Sequence, residues 1–214
     1  MTPNGFDRLA RPYQWMEYLS FGSLLQKCRT RYLSRLTSSR DALVLGDGDG
    51  RFTQSLLRKA TGTSVTAIDG SSAMLRELHH RCEPDVHRLT THQAQLPAGL
   101  AACIEGQTFD LVATHFFLDC LTTAEVEVLA RAIRTHLTRD ALWVISDFAI
   151  PPGSMRLPAS LLVHFLYKAF HLLTGLRTQR LPDHTAALAA SNFKCIQRET
   201  ALGGLLVMEL WRPS

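Results

Sequence analysis

Paired cysteines are missing from this sequence. Its five cysteines are scattered over 214 residues, none of them at C-x-x-C spacing, and their number is odd. Because disulfide frameworks and cysteine-rich metal sites need paired, regularly spaced cysteines, the pattern argues against both. We therefore expect a cytoplasmic location, where thiols stay reduced, and no metal site.

Long apolar runs are missing as well. No stretch reaches the ~18 uncharged apolar residues of a membrane span, and residues 1–8 have no apolar core of the kind found in signal peptides. We therefore expect no stable membrane insertion. Charged residues make up 20% and hydrophobic residues 46% of the chain, proportions that exclude disordered and collagen-like proteins.

A concentrated basic region is also absent. The formal net charge is +4 with histidines neutral, and the basic residues are spread along the chain. Because nucleic-acid binding needs basic residues clustered on one face, we expect no nucleic-acid partner. The length fits a single α/β domain, and a homo-oligomer is compatible with the sequence.

The chain does contain alternating strand and helix patterns. Short apolar runs bounded by Gly, Pro or Asp predict strands, and Thr122 and Glu125 have the capping-box spacing of a helix start. The predicted strands are 43–46, 65–69, 86–91, 109–114, 141–148, 193–200 and 205–212, and the predicted helices are 52–60, 72–82, 123–137 and 160–174. Repeated β–α units with strands this apolar predict a parallel sheet with helices on both faces.

The strongest functional signal is a glycine turn after the first predicted strand. Gly46, Gly48 and Gly50 alternate there, and Asp69 ends the next strand. Glycines let backbone N–H groups approach a ligand closely, and an acid at the tip of the following strand can accept hydrogen bonds from ribose hydroxyls. The pattern therefore predicts a nucleoside ligand.

The spacing of these glycines excludes one class of nucleotide. A dinucleotide site needs G-x-G-x-x-G, and neither Arg51 nor Thr53 supplies the third glycine. A nicotinamide oxidoreductase is therefore disfavoured. The interleaved acids Asp47 and Asp49 would repel a pyrophosphate but suit a cation, and the sulfonium and ammonium groups of S-adenosylmethionine meet that preference.

With this turn, the chain resembles the class I S-adenosylmethionine-dependent methyltransferases. In that family the first strand ends in an acid followed by x-G-x-G-x-G, and the matching stretch here is 46–52. In this register Gly46 stands in the place of the acid and Phe52 in that of the last glycine. We expect Asp47 or Asp49 to take over the role of the acid.

Three further segments carry the resemblance. Residues 69–75 are similar to the family's ribose-binding acid and following helix, 92–97 to its adenine-binding turn, and 109–118 to its fourth strand. His92 stands where the family commonly has an acid, so Gln93 or the backbone is expected to contact the adenine. The resemblance implies S-adenosylmethionine as cofactor, S-adenosylhomocysteine as product, and these cofactor-binding residues: Gly46, Asp47, Gly48, Asp49, Gly50, Asp69, Gly70, Ser71, Met74, His92, Gln93, Ala94, His115 and Phe116.

The resemblance also implies an architecture. We expect one α/β domain over 1–214 with a Rossmann-like doubly wound sheet, mostly parallel, closed by a C-terminal antiparallel hairpin strand. Helices cover both faces. The parts are an N-terminal helical cap (1–40), a cofactor-binding core (41–150), a lid or substrate insertion (151–192) and a closing strand pair (193–214).

Methyl transfer needs a base only when the acceptor must lose a proton, because the sulfonium donor is already activated. Enzymes of this kind mainly align the two reactants and exclude water. Histidine is the easiest base at neutral pH, whereas an aspartate needs a raised pKa or acts by orienting the acceptor. The candidates are Asp119, His115, Asp147 and His164, and the sequence does not choose among them.

Two segments outside the core are expected to contact the acceptor. The N-terminal segment contributes Tyr13, Trp15 and Tyr18, and the apolar helix predicted at 160–174 contributes Phe165, Tyr167 and Phe170. Instead of contacting the acceptor, the aromatic side chains of the first segment could anchor it to the core. The second segment could instead present a solvated helix face.

These observations predict a methyltransferase that acts on a small, apolar or aromatic acceptor, with oxygen or carbon favoured as the methylated atom. The alternative is a protein that binds S-adenosylmethionine without transferring its methyl group. Such a protein would be a regulatory module or would use the sulfonium to assist a rearrangement or elimination.

Overall fold

One seven-stranded sheet organises the protein. The computed structural model describes residues 23–151, 153, 156–157, 160–161 and 180–214. The strands are β1 (Asp41–Leu45), β2 (Ser64–Asp69), β3 (Leu89–Gln93), β4 (Phe109–His115), β5 (Leu137–Phe148), β6 (Phe193–Ala201) and β7 (Leu206–Pro213). Their order across the sheet is β3-β2-β1-β4-β5-β7-β6. Strands β1 to β5 pair in parallel, and β7 is antiparallel to β5 and β6, which confirms the predicted fold class.

Helices in the described ranges pack on both faces of this sheet. They are α1 (Leu24–Arg29), α2 (Arg51–Lys59), α3 (Ser72–Arg81), α4 (Leu100–Ile104), α5 (Thr123–Arg134) and α6 (His184–Ala190). The predictions located α2, α3 and α5. Helix α1 lies within the predicted N-terminal helical cap (1–40), for which no helix bounds were predicted. Helices α4 and α6 were not predicted, since five and seven residues show too little of the 3.6-residue period to stand out. The helix predicted at 160–174 lies mostly outside the described residues.

The two faces of the sheet carry separate hydrophobic cores. Along β1, Val44 contributes to the core beneath α1, α2 and α3, while Leu43 and Leu45 contribute to the core beneath α4, α5 and α6. Successive strand residues point to opposite faces. A strand that is apolar at every position therefore belongs in a sheet covered on both sides, as β1 does.

The third strand differs from its prediction. Residues 83–88 form a 3-10 helix, and the strand begins only at Leu89. Pro84 lies in the first turn of that helix. Backbone N–H groups at this position make no hydrogen bond within the helix, so the missing N–H of proline costs none. Arg88 donates to the carbonyls of Leu57, Ala60 and Thr63, which holds this segment against the end of α2 instead of along the sheet edge.

The capping box predicted for α5 is confirmed. The Thr122 side chain accepts from the Glu125 backbone, and the Glu125 carboxylate accepts from the Thr122 N–H at 2.8 Å. None of the helices in the described part of the chain is long and apolar enough to cross a membrane.

Gly50 provides a test of how tightly α2 packs on α3. Its φ is +82°, and a Cβ there would stand 2.7 Å from Leu78 Cγ and 3.0 Å from Leu78 Cα. We expect Gly50→Ala to lower the free energy of unfolding by about 2–4 kcal/mol, because left-handed strain and overpacking add. The measurement is urea denaturation.

Gly106→Ala is the matched control. Its φ is +70°, but no atom of the described residues lies within 4 Å of the added Cβ, so strain alone should cost about 1–2 kcal/mol. Equal losses in the two variants would show that the contact with Leu78 contributes nothing.

Candidate functional site

The glycine turn joins β1 to α2 at the carboxyl end of the sheet. Gly46, Gly48 and Gly50 all have positive φ, at 65°, 57° and 82°. A Cβ at Gly46 would overlap the Phe117 ring at 2.2 Å, whereas the nearest atom to one at Gly48 is Met74 Sδ at 3.8 Å. The protein's own packing therefore requires Gly46 and Gly50. Among the described residues no atom lies closer than 3.8 Å to a Cβ at Gly48, so the backbone there is available for close approach of a ligand.

The structure corrects the register predicted for the family's motif. Phe52 is not a turn residue, since it lies inside α2 and is fully buried. Gly50 immediately precedes that helix, so the last glycine of x-G-x-G-x-G is Gly50. The acid of the motif then falls two residues before Gly46, on Val44, which is buried in β1.

Asp47 is directed back into the protein. Its carboxylate accepts hydrogen bonds from the Thr53 N–H at 2.8 Å, the Thr53 hydroxyl at 2.7 Å and the Phe52 N–H at 3.3 Å. These bonds cap the start of α2, whose N-cap residue, Gly50, has no side chain. Burial raises the pKa of Asp47 to about 6, against the opposing effect of the Thr53 hydrogen bonds.

Asp49 links the turn to α3. Its carboxylate accepts from Arg81 Nη2 at 2.7 Å and from Arg51 Nε at 3.1 Å, and Arg81 Nε also donates to the Asp49 carbonyl. Both interleaved acids therefore have partners within the protein. That either of them contacts the cofactor stays a prediction.

Asp69 lies at the tip of β2, beside the turn. Its carboxylate accepts the Gly48 N–H at 3.2 Å and the Ser71 N–H at 2.8 Å, while the Ser71 side chain caps α3. A carboxylate can accept about four hydrogen bonds, so capacity remains for ligand hydroxyls. Burial raises the pKa of Asp69, against the backbone hydrogen bonds that lower it.

The residues predicted for adenine lie next to Asp69. Gln93 and Gln95 each bring Nε2 to 3.4 Å from the Gly70 carbonyl, and the Ala94 N–H donates to the Asp69 carbonyl at 3.1 Å. His92 pairs with Ile68 across the sheet. The structure thus brings the predicted segments at the ends of β2 and β3 together.

The end of β4 faces the glycine turn from the other side. His115 is 3% exposed and its ring centroid lies 4.3 Å from that of Phe52. Neither ring nitrogen has a hydrogen-bond partner within the described residues. Burial, with the charge of Arg29, holds the pKa of His115 well below its usual value. Phe116 follows with φ 55°, and its ring lies 5.0 Å from the Arg29 guanidinium.

Two aspartates lie together where β4 and β5 end. The Asp119 N–H donates to Asp147 Oδ2 at 3.2 Å, and the Phe148 N–H donates to Asp147 Oδ1 at 2.8 Å. Asp119 is half-buried and Asp147 is 1% exposed. Burial raises the pKa of Asp119 to about 6. Burial and the neighbouring Asp119 charge raise the pKa of Asp147 well above its usual value.

Sequence reasoning missed a buried ionic network behind this pair. Glu209 is fully buried on β7 and accepts from His184 Nε2 at 3.1 Å, from Trp211 Nε1 at 2.7 Å and from the Arg198 guanidinium. Although burial alone would raise it, these partners hold the pKa of Glu209 below its usual value. A single acid inside the apolar run 205–211 is the signal that could have revealed it.

Several predicted residues cannot be placed in this site. Those with roles assigned from sequence that lie outside the described residues are Tyr13, Trp15, Tyr18, His164, Phe165, Tyr167 and Phe170. Their contacts with acceptor or base chemistry stay predictions.

Comparison with known proteins agrees with this geometry. Residues 43–142 match a family model described as a methyltransferase domain. No curated protein sequence matches the chain.

Solved structures share the fold at low sequence identity. An O-methyltransferase family protein from Burkholderia thailandensis has a TM-score of 0.70 at 13% identity, over 98% of this chain and 58% of its own. CalO1, a methyltransferase in calicheamicin biosynthesis in its S-adenosylhomocysteine-bound form, gives 0.68 at 16%, over 96% and 57%. The N-methyltransferase NodS from Bradyrhizobium japonicum gives 0.58 at 14%, over 89% and 97%. The chain thus spans less than two thirds of the length of the first two proteins.

Substitution of Asp47 distinguishes two roles of its carboxylate, capping of α2 and contact with the cofactor. We expect Asp47→Ala to lower the free energy of unfolding by about 1 kcal/mol, because α2 loses its side-chain cap. Asp47→Asn keeps an acceptor oxygen and should lose less. Urea denaturation measures stability and calorimetry measures cofactor affinity. Unchanged stability with weakened cofactor binding in both variants would assign the carboxylate to the cofactor.

Proposed function

We propose that this chain, whose residues 43–142 match a methyltransferase-domain model, uses S-adenosylmethionine to methylate a small, apolar or aromatic acceptor, with oxygen or carbon favoured. The names of the neighbouring O-methyltransferases support oxygen, although identities of 13–16% carry the fold alone. A cytoplasmic location stays a prediction from the cysteine pattern.

The observation that carries this proposal is the Asp119–Asp147 pair. In the sheet order, β1 separates β2, which carries Asp69, from β4. With ribose on Asp69 and adenine toward β3, the methionyl end of the cofactor extends toward β4 and β5. The pair therefore lies on the side of the site where an acceptor would meet the methyl group.

Asp119 is the best placed of the three candidate bases that lie within the described residues. A pKa of about 6 leaves it ionised at neutral pH and makes it a stronger base than an ordinary carboxylate. Both carboxylates have partners, since Asp119 Oδ1 accepts from the Cys120 thiol at 3.5 Å and Asp147 accepts two backbone N–H bonds, but Asp147 is almost inaccessible whereas Asp119 is half-buried. We propose that Asp147 orients the turn that contains Asp119, through the hydrogen bond from the Asp119 N–H. His115 is buried against Phe52 on the opposite side of the sheet from this pair.

The reaction needs few further groups from the protein. When bound, the cofactor supplies an already activated methyl group, so alignment of the acceptor contributes most, and proximity alone can supply ~7–11 kcal/mol. The Asp119 carboxylate would accept the acceptor's hydroxyl proton, and the apolar side chains of Phe117 and Leu121 would exclude water from that side.

Binding without methyl transfer is the second candidate. It is favoured by one observation, the buried Val44 at the position of the family's acid. Formation of S-adenosylhomocysteine with a methylated product distinguishes the two functions. Stable cofactor binding with no such product over a panel of phenols, enols and amines would support the second.

Asp119→Asn tests the assigned base. We expect kcat/KM for a phenolic acceptor to fall by about 10²- to 10⁴-fold, with cofactor affinity retained. A base works only when ionised, so wild-type activity should fall as the pH drops through about 6. The Asn variant should lose this dependence. Release of labelled S-adenosylhomocysteine measures both.

Asp140→Asn is the matched control, because Asp140 is exposed on β5 toward its amino end. It should leave the rate and the pH profile unchanged. An Asp119→Asn enzyme with full activity and an unaltered pH profile would exclude Asp119 as the base.

A further inference from the structure

The ionic network centred on Glu209 lies beside the proposed base. The Glu209 carboxylate is fully buried and accepts from His184 Nε2 at 3.1 Å, from Trp211 Nε1 at 2.7 Å and from the Arg198 guanidinium. A buried carboxylate needs a cation and hydrogen-bond donors, and Arg198 supplies the positive charge. Glu209 therefore needs only a donor at position 184, and a histidine there can carry a positive charge as well.

Strand pairing brings this network next to Asp147. Glu209 on β7 pairs with Ile145 on β5. Because alternate residues of a strand point to the same face of a sheet, the side chains of Glu209 and Asp147 lie on one face. Burial raises the pKa of Asp147 most, and the charges of Asp119 and Glu209 raise it further. The network and the two aspartates are therefore electrostatic neighbours.

The start of α6 places His184 near the turn that contains Asp119. The Asp183 N–H donates to the Thr123 hydroxyl at 3.0 Å, which joins the start of α6 to the start of α5. Helix α5 begins just after the Asp119 turn, and His184 is the first residue of α6. Burial raises the pKa of Asp119 to about 6, and a positive charge on His184 opposes that rise.

The other titratable groups around these two side chains are mostly acids or already paired. In the described part of the chain they are Asp147 on β5, Cys120 in the Asp119 turn, Glu209 on β7, Arg198 on β6, Asp183 before α6 and Glu125 on α5. The carboxylates of Asp183 and Glu125 cap helix starts, and the Arg198 guanidinium pairs with Glu209. Among the described residues, His184 has the strongest positive influence on Asp119.

We propose that His184 is a positioning residue for methyl transfer, whose protonated ring is held by Glu209 beside Asp119 and keeps that base ionised. The proposal rests on the proposed function, because it takes Asp119 as the base. His184 acts through Asp119 and need not touch either reactant.

His184→Gln tests the proposal, because glutamine keeps an N–H donor for Glu209 but cannot carry a charge. Carbon-13 NMR of the full chain with labelled aspartate carboxyl groups follows the titration of Asp119, whose signal is the one missing from Asp119→Asn. We expect its midpoint to rise by about half a pH unit or more, because an opposite charge nearby favours the ionised form. Methyl transfer to a phenol should then fall by about twofold or more near pH 6 and stay close to wild type near about pH 8.

A reciprocal measurement leaves position 184 unchanged. If the charge of His184 favours ionised Asp119, ionised Asp119 must favour protonated His184 to the same extent. The titration midpoint of the His184 ring, followed by nitrogen-15 NMR, should therefore be lower in Asp119→Asn than in the wild type. This test uses a half-buried turn residue and does not depend on how well His184→Gln folds.

His136→Gln is the matched control. His136 is also a half-buried histidine with one printed partner, since its Nδ1 lies 2.9 Å from the Gln107 carbonyl oxygen, but it lies at the amino end of β4. It should leave the Asp119 midpoint and the pH profile unchanged. Unchanged midpoints in both His184→Gln and Asp119→Asn would overturn the proposal, and so would an equal shift in His136→Gln. Shifted midpoints in a protein that transfers no methyl group would count against the proposed function alone.

Discussion

The left-handed backbone of the turn at 46–50 is the constraint on which the rest of the site depends. Phe117 fills the space beside Gly46, Leu78 fills the space beside Gly50, and Asp69 accepts the Gly48 N–H. These contacts join the ends of β1, β2 and β4 into one edge. Protein atoms exclude a side chain at two of the three glycines, so the packing around the turn itself requires glycine there.

Carboxylates dominate the charge around this edge. Asp47 and Asp49 stabilise the turn through α2 and α3, whereas Asp69 retains capacity to accept bonds from ligand hydroxyls. Asp119 and Asp147 form a second acidic group at the ends of β4 and β5. A site of this composition suits a cationic cofactor, and Arg29 is the buried cation on its α1 side.

Much of the fold could be predicted from sequence, because β1, β2 and β4 are apolar at consecutive positions and only a doubly covered parallel sheet buries such strands. The position of Asp69 could be predicted for a related reason, since its place at a strand tip follows from the same pattern. The register of the glycine motif could not be predicted, because spacing alone cannot distinguish a turn residue from a buried helical one such as Phe52. Glu209 and His184 were missed because their pairing joins β7 to α6, which no local pattern reveals.

We expect this edge of the sheet to bind the nucleoside of S-adenosylmethionine. A crystal structure of the protein with S-adenosylhomocysteine tests it most directly. We expect both ribose hydroxyls within hydrogen-bonding distance of the Asp69 carboxylate, with the ligand passing over the backbone at Gly48. A ligand bound elsewhere, or a ribose turned away from Asp69, would contradict it.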